Sequence, residues 1–266
     1  MAYCYFKGQI IEEQKVSMPV SLLGPTRGFG VFDYFRMRQG TPVFMEHHLD
    51  RFDRSQAFLG LTSMIPRDEI LQAIEDLTEK NGFRDAGFKL VLFGDGKDDD
   101  VSLNPFFYIT QVDLSGHNPA PVCNLILHEY LREYPEVKTV NYFTTNLLHK
   151  RRVSAGAIDV LFHKGGLVSE AARSSVFLIK DGQLKTPAKN ILGGITRKMV
   201  LSIAKDMLPI LETEVTLEEL FSADEVFISA TGKEVMGVAR LEDFQIGNGL
   251  LGPFTQKIQA AYRSLF

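Results

Sequence analysis

Residues 114–121 read Leu-Ser-Gly-His-Asn-Pro-Ala-Pro, the one Pro/Gly/polar cluster in the chain with the composition of a linker between domains. It constrains the fold more than any other feature. The reading it gives is a first unit over 1–113, a connection over 114–121 and a larger, strand-rich unit over 122–266. Each unit is long enough to bury its own core.

Within the first unit, residues 3–12 alternate loosely as a strand with a turn at Lys7-Gly8. Val31–Met37 and Pro42–Met45 read as a hairpin about Gln39-Gly40. A helix pattern follows, with Leu49, Phe52, Phe58 and Leu59 on one face. A second helix spans 66–81, with Ile70, Leu71, Ile74 and Leu77 at helical spacing and Asn81-Gly82 as its stop. Strands over 88–93 and 106–112 flank an acidic loop from Asp95 to Asp100. Beyond the linker, strands are expected over 124–131, 158–163, 175–180 and 225–229, and helices over 142–154, 196–208 and 254–265. Lys164-Gly165-Gly166 and Asp181-Gly182 read as hairpin turns. Strand blocks with interspersed helices, without strict alternation, indicate an α+β fold.

Composition removes several classes of function. With 29 Lys+Arg against 33 Asp+Glu the net charge is −4, which argues against nucleic acid as a partner. No run approaches the roughly 18 apolar residues of a membrane span. No signal peptide is expected, and two cysteines, Cys4 and Cys123, suit a reducing cytoplasm. No metal site is expected: His128-Glu129 lacks a second histidine at zinc-site spacing, and Asp95, Asp98, Asp99 and Asp100 lack the calcium-loop spacing. Neither a Walker loop nor a Gly-x-Ser-x-Gly elbow occurs, and the Gly24…Gly28-x-Gly30 stretch lacks the dinucleotide spacing.

Several segments carry potential chemistry. Leu192-Gly193-Gly194-Ile195-Thr196-Arg197 opens an amphipathic helix, so free backbone N–H groups and the helix dipole point at one spot. An ordinary capped helix would read the same way. Ser229-Ala230-Thr231-Gly232 follows a strand and offers further N–H and hydroxyl donors, or is simply a turn. Arg51 lies on a helix in His48-Leu49-Asp50-Arg51, Lys138 follows Tyr134-Pro135-Glu136-Val137, and Glu170 ends a strand-like run from Gly166. Each has a bland alternative as a surface charge or an ion pair.

Taken in order, these segments resemble the class IV aminotransferases, the fold-type IV pyridoxal-phosphate enzymes, over nearly the whole chain. Gly30-Val31-Phe32-Asp33 with Arg36 resembles that family's Gly-Val-Phe-Glu…Arg strand, and His48-Leu49-Asp50-Arg51 its His-x-x-Arg helix. Lys138-Thr139-Val140-Asn141-Tyr142, Leu167-Val168-Ser169-Glu170, Leu192 to Arg197 and Ser229-Ala230-Thr231 resemble its lysine segment, Val-Thr-Glu strand, Gly-Ile-Thr-Arg signature and Ser-Gly-Thr loop. The resemblance implies pyridoxal 5'-phosphate in the cleft between two α/β domains, a homodimer, and an amino acid and a 2-oxo acid as substrates. It implies Lys138 as the Schiff-base and proton-transfer amine and Glu170 as partner of the ring nitrogen. Ile195, Thr196, Thr231 and a forked Arg51 would hold the phosphate. Tyr142 would reach the ring's 3′ oxygen, Leu192 would pack on a ring face, and Ser174 would bond near the phosphate.

Three positions depart from the family pattern: Ser175 stands for its Asn, Ala171 for a Gly, and Asp33 for its Glu. The strand ending Leu92-Phe93-Gly94-Asp95-Gly96 carries neither the Arg-x-His of D-amino-acid aminotransferases nor the Arg-Gly of many lyases. Lys89 is the nearest counterpart of the upstream arginine of branched-chain enzymes. Candidates for the substrate carboxylate are Arg27, Arg173 and Lys233, with Phe32 in the side-chain pocket. The resemblance implies a branched-chain L- or D-amino-acid aminotransferase. Its alternatives are a 4-amino-4-deoxychorismate lyase on the same scaffold and a relative that binds the cofactor without catalysis.

Overall fold

In the computed structural model, residues 2–20, 22–61, 63–95 and 104–266 are described. Gly96, Asp98, Asp99 and Asp100 of the acidic loop lie outside them. The chain divides into two compact units, one of Met1–His117 with Val137–Tyr142, the other of Asn118–Glu136 with Phe143–Phe266.

The first unit runs β1 (Tyr3–Phe6), β2 (Gln9–Glu12), α1 (Leu23–Arg27), β3 (Gly30–Arg38), β4 (Thr41–Pro42), α2 (Met45–Leu59), α3 (Arg67–Asn81), β5 (Ala86–Asp95) and β6 (Asn104–Asp113). Its antiparallel sheet has the order β2-β1-β6-β5-β3-β4. The β3–β4 connection is a two-residue turn with Gln39 and Gly40 both at positive φ, the geometry whose twist matches paired strands. The second arm is shorter than the sequence suggests, because Phe44 turns left-handed (φ 54°) and α2 starts at Met45.

Alternation along β3 decides what each face does. Val31, Phe35 and Met37 join Leu49 and Phe52 of α2 and Ile70, Ile74 and Leu77 of α3 in a continuous core. Within it Phe35 stacks on Phe88, ring centroids 4.9 Å apart and planes 4° from parallel. Phe32 falls on the opposite face, beside a smaller cluster of Leu22, Val91, Phe93 and Phe106.

The second unit runs β7 (Val122–Glu129), α4 (Phe143–Leu147), α5 (His149–Ser154), β8 (Asp159–Lys164), β9 (Leu167–Ala171), β10 (Ser175–Lys180), β11 (Gln183–Pro187), α6 (Ile195–Ala204), β12 (Ile210–Thr213), β13 (Val215–Thr216), α7 (Leu217–Phe221), β14 (Glu225–Ala230), β15 (Glu234–Leu241), β16 (Phe244–Gln245) and α8 (Pro253–Arg263). The sheet order is β12-β11-β10-β14-β15-β7-β8-β9-β13, with β16 on β15. It is mixed: β7 pairs parallel with both β15 and β8, and β11 parallel with β12. The expected turns at Gly165-Gly166 and Asp181-Gly182 are present, all four residues at positive φ. Val176, Leu178, Val226 and Ile228 point into the core with Leu220 of α7. On the other side Phe177 stacks on Phe227 at 4.6 Å.

The single helix expected over 142–154 is instead two short ones, broken at Leu148. Its apolar residues Phe143, Leu147 and Val153 are exposed. Without a packed face, little holds a longer helix together. The helix α7 is an addition to the elements expected from sequence. It starts at a full capping box, Thr216 accepting from the Glu219 N–H while the Glu219 side chain accepts from the Thr216 N–H.

Replacing Phe35 with Ala should cost about 3–5 kcal/mol, because both the stacked partner and the helix face lose contact. Denaturant unfolding of the variant against the parent protein measures it.

Candidate active site

Lys138 lies on an extended segment that belongs with the first unit, although the residues on either side belong to the second. Its placement follows from backbone pairing. Phe32 N–H donates to the Lys138 carbonyl at 2.9 Å, Val140 N–H donates to the Gly30 carbonyl at 2.9 Å, and Val31 bridges Thr139. This short ladder extends the edge of β3. The Lys138 Nζ stands 4.5 Å from the Phe32 ring centroid, and Tyr142 meets the same ring edge-on at 5.6 Å. Lys89 Nζ lies 5.0 Å from that ring as well. Lys138, Phe32 and Tyr142, singled out separately from sequence, thus form one cluster.

Arg51 is buried on α2, with two nitrogens on Asp33: Nε donates to Oδ2 at 2.7 Å and Nη2 to Oδ1 at 2.8 Å. The His48 Nδ1 sits 2.7 Å from Asp33 Oδ1. Burial pushes the Asp33 carboxyl up, but the Arg51 charge and hydrogen bonds, with those of His48, outweigh it and hold it well below the usual carboxylate range. Asp33 is therefore ionised, and His48 Nδ1 carries the hydrogen between them. Burial keeps the His48 imidazole below its ordinary pKa despite the pull of Asp33. Arg51, the arginine expected at the phosphate, is thus paired within its own unit. The fork grips Asp33, and Nη1 is the nitrogen not committed to that carboxylate.

Glu170 is buried on β9. Arg132 holds its Oε1 through Nε at 2.7 Å and Nη2 at 2.5 Å, and the Leu192 N–H donates to Oε2 at 3.0 Å. Arg132 Nη2 also donates to the Pro135 carbonyl at 2.6 Å. The sequence reading missed Arg132. A buried carboxylate demands a cation, but nothing in the spacing says which of the arginines supplies it.

Downstream of Leu192, Gly194 starts α6 with no side chain capping it, and the first helical hydrogen bond runs from Lys198 N–H to the Gly194 carbonyl. The N–H groups of Ile195, Thr196 and Arg197 therefore precede the intrahelical ladder. Ile195 and Thr196 are buried. Thr231, half-buried, sits in the connection between β14 and β15. The Ser229 hydroxyl beside it is buried with no hydrogen-bond partner among the described residues.

The other candidates are placed differently. Lys233 Nζ binds Asp159 Oδ2 at 2.5 Å and Ser174 Oγ at 2.8 Å, and Ser174 donates to the same Asp159 oxygen at 2.8 Å. Lys233 is thereby engaged by a buried carboxylate instead of presenting a cation to substrate, and the Ser174 hydroxyl is tied to that pair. Arg173 is exposed at the turn between β9 and β10, and Arg27 is exposed at the end of α1. Among the described residues no group of three His, Cys, Asp or Glu side chains could hold a metal, and no helix is long and apolar enough to cross a membrane.

The first unit carries an amine against an aromatic ring, and the second, by itself, a buried carboxylate, an uncapped helix start and an orphaned hydroxyl; these are donors of the kinds that pyridoxal phosphate takes. The family model described as amino-transferase class IV matches residues 30–241. This chain belongs to the class IV aminotransferases. It is a pyridoxal-phosphate-dependent aminotransferase with the fold-type IV α+β architecture. A Methanocaldococcus jannaschii protein, named provisionally as a branched-chain-amino-acid aminotransferase, is 28% identical over 98% of this chain and 95% of its own length. The D-alanine aminotransferase of Staphylococcus epidermidis is 27% identical over 98% of this chain and 97% of its own. The solved structure of the Escherichia coli branched-chain amino acid aminotransferase superposes with a TM-score of 0.89 at 25% identity, covering 100% of this chain and 94% of that one.

The Asp33–Arg51 pair gives this aminotransferase a specific acid sensitivity. Because the folded-state pKa of Asp33 is depressed, its contribution to stability is complete above the unfolded value of about 3.9 and is lost as pH falls toward the folded one. Asp33→Asn should cost about 3–5 kcal/mol near neutrality by leaving Arg51 buried and uncompensated. It should also lack this component of the acid-induced loss. Urea unfolding across pH 3–7 tests both.

Proposed function

We propose that this aminotransferase exchanges amino and oxo groups between an amino acid with an aliphatic side chain, branched-chain L- or D-, and a 2-oxo acid, with Lys138 as its catalytic amine. The observation that carries the reading is the Lys138 amine held against Phe32 with Tyr142 on the same ring. The ring gives the amine one apolar wall and a fixed position, and a nucleophilic or proton-transferring amine needs such placement. The aromatic surface also suits an apolar substrate side chain. The provisional branched-chain name of one relative and the D-alanine name of another support this substrate class.

When bound, the pyridoxal ring supplies an electron sink for charge developing at the substrate Cα. Lys138 Nζ would take up the proton lost from the substrate Cα and hand it on to the cofactor's C4′ carbon. Glu170 would hold the proton on the ring nitrogen. Arg132 and the Leu192 N–H fix both of its oxygens in place. The Ile195 and Thr196 N–H groups and the Thr196 and Thr231 hydroxyls would hold the phosphate, and Arg51 would supply a charged donor. Tyr142 would reach the ring's 3′ oxygen, and Leu192 would pack on a ring face. We take the enzyme to be a homodimer, since symmetric dimers dominate soluble oligomers. A reducing cytoplasm suits its two cysteines, both free and buried.

The test mixes cofactor-loaded protein with single D- and L-amino acids and follows visible absorbance and oxo-acid release. Stoichiometric oxo acid from aliphatic substrates is the expected result, and the enantiomer that responds names the branch. Catalytic formation of pyruvate and 4-aminobenzoate from 4-amino-4-deoxychorismate would overturn the reading in favour of a lyase. Lys138→Ala should lose the visible band of the bound cofactor, and an unchanged spectrum would remove Lys138 from its role.

A further inference from the structure

The connection between β14 and β15 has a conformation that its sequence does not favour. Ala230 pairs with Glu234, leaving Thr231-Gly232-Lys233 as a three-residue loop, and the Lys233 N–H donates to the Ala230 carbonyl at 3.1 Å. In such a hairpin the next residue adopts the left-handed conformation, a position that glycine fills best. Here it is Glu234, at φ 58° and buried. Its side chain is held in place: Oε2 accepts from Arg263 Nε on α8 at 2.7 Å. The neighbouring Lys233 reaches Asp159 on β8 and Ser174 at the β9–β10 turn. Two adjacent residues of opposite charge thus anchor one hairpin tip to separate parts of the same unit.

Each charge is matched by its own partner, so the pair adds almost no net field at the tip. Two partly buried ion pairs and a left-handed glutamate are also not what stability alone would select, since desolvation offsets much of what such pairs contribute. Backbone strain of this kind persists where the surroundings over-determine it, and it gathers at ligand clamps.

We propose that Lys233 and Glu234 are positioning residues that fix the β14–β15 tip so that Thr231 presents its N–H and hydroxyl to the cofactor's phosphate. The proposal rests on the assignment of Thr231 to phosphate binding. It reassigns Lys233 from substrate recognition to control of cofactor affinity. The clamp acts by geometry, so removing either anchor lets the tip move without changing the charge of the donors themselves.

Two variants test it. Glu234→Gly removes the Arg263 anchor while supplying the residue the backbone prefers, so folding is retained. The double variant Asp159→Asn with Lys233→Met removes the second anchor without leaving a lone buried charge. Dissociation constants are measured for pyridoxal phosphate and for pyridoxal, which lacks the phosphate, alongside thermal melting of the cofactor-free protein. The expected result is a loss of pyridoxal-phosphate affinity of about 10- to 100-fold, the range found when the partner behind a ligating group is removed, with pyridoxal binding unchanged. Unchanged pyridoxal-phosphate affinity in both variants overturns the clamp, and so does an equal loss for the two ligands. If parent protein and Thr231→Ala both bind pyridoxal phosphate equally well, the phosphate role of Thr231 itself fails, an outcome distinct from failure of the clamp alone.

Discussion

A carboxylate taken out of water must meet a cation or stay protonated, and much of this chain's functional architecture follows from that constraint. Asp33 meets Arg51, Glu170 meets Arg132, and Asp159 meets Lys233, with the acidic partner in each pair no more than 7% exposed. The first pair fastens α2 to β3. The second links Glu170 to the run of chain leading into Lys138, through the Arg132 contact with Pro135. The third ties β8 to the β14–β15 tip. Two of the cations that sequence alone would offer to an anionic ligand, Arg51 and Lys233, are thus compensated from within the protein. Within the second unit the donors left unspent are directional: backbone N–H groups ahead of the α6 ladder and the buried Ser229 hydroxyl.

The sequence was informative where periodicity and turn chemistry coincide. The helix ending at Asn81-Gly82 and the turns at Gln39-Gly40, Gly165-Gly166 and Asp181-Gly182 follow from local rules, and the structure contains them. The order of short motifs was sufficient to identify the family. Local reading could not show what depends on contacts far apart in sequence. Arg132 and Glu170 are separated by 38 positions, and Lys233 and Asp159 by 74. No pattern within either segment selects its partner. The long helix expected over 142–154 failed for the opposite reason: its residues are locally adequate, but Phe143, Leu147 and Val153 are left exposed. The substrate-carboxylate candidates were chosen for proximity to motifs along the chain, and Lys233 shows the weakness of that criterion.

The backbone ladder from Lys138 to β3 has a consequence for how such a protein can be inherited. The polypeptide enters the second unit at Asn118, returns to the first for Val137–Tyr142 and leaves again at Phe143. A gene cut at the Pro/Gly-rich connection would therefore not yield two self-sufficient modules. The upstream piece would lack both the segment that pairs with the start of β3 and the lysine it carries, and the downstream piece would hold that segment without the strand it pairs with. Recombination can exchange loops around this frame, but the two halves must be passed on together.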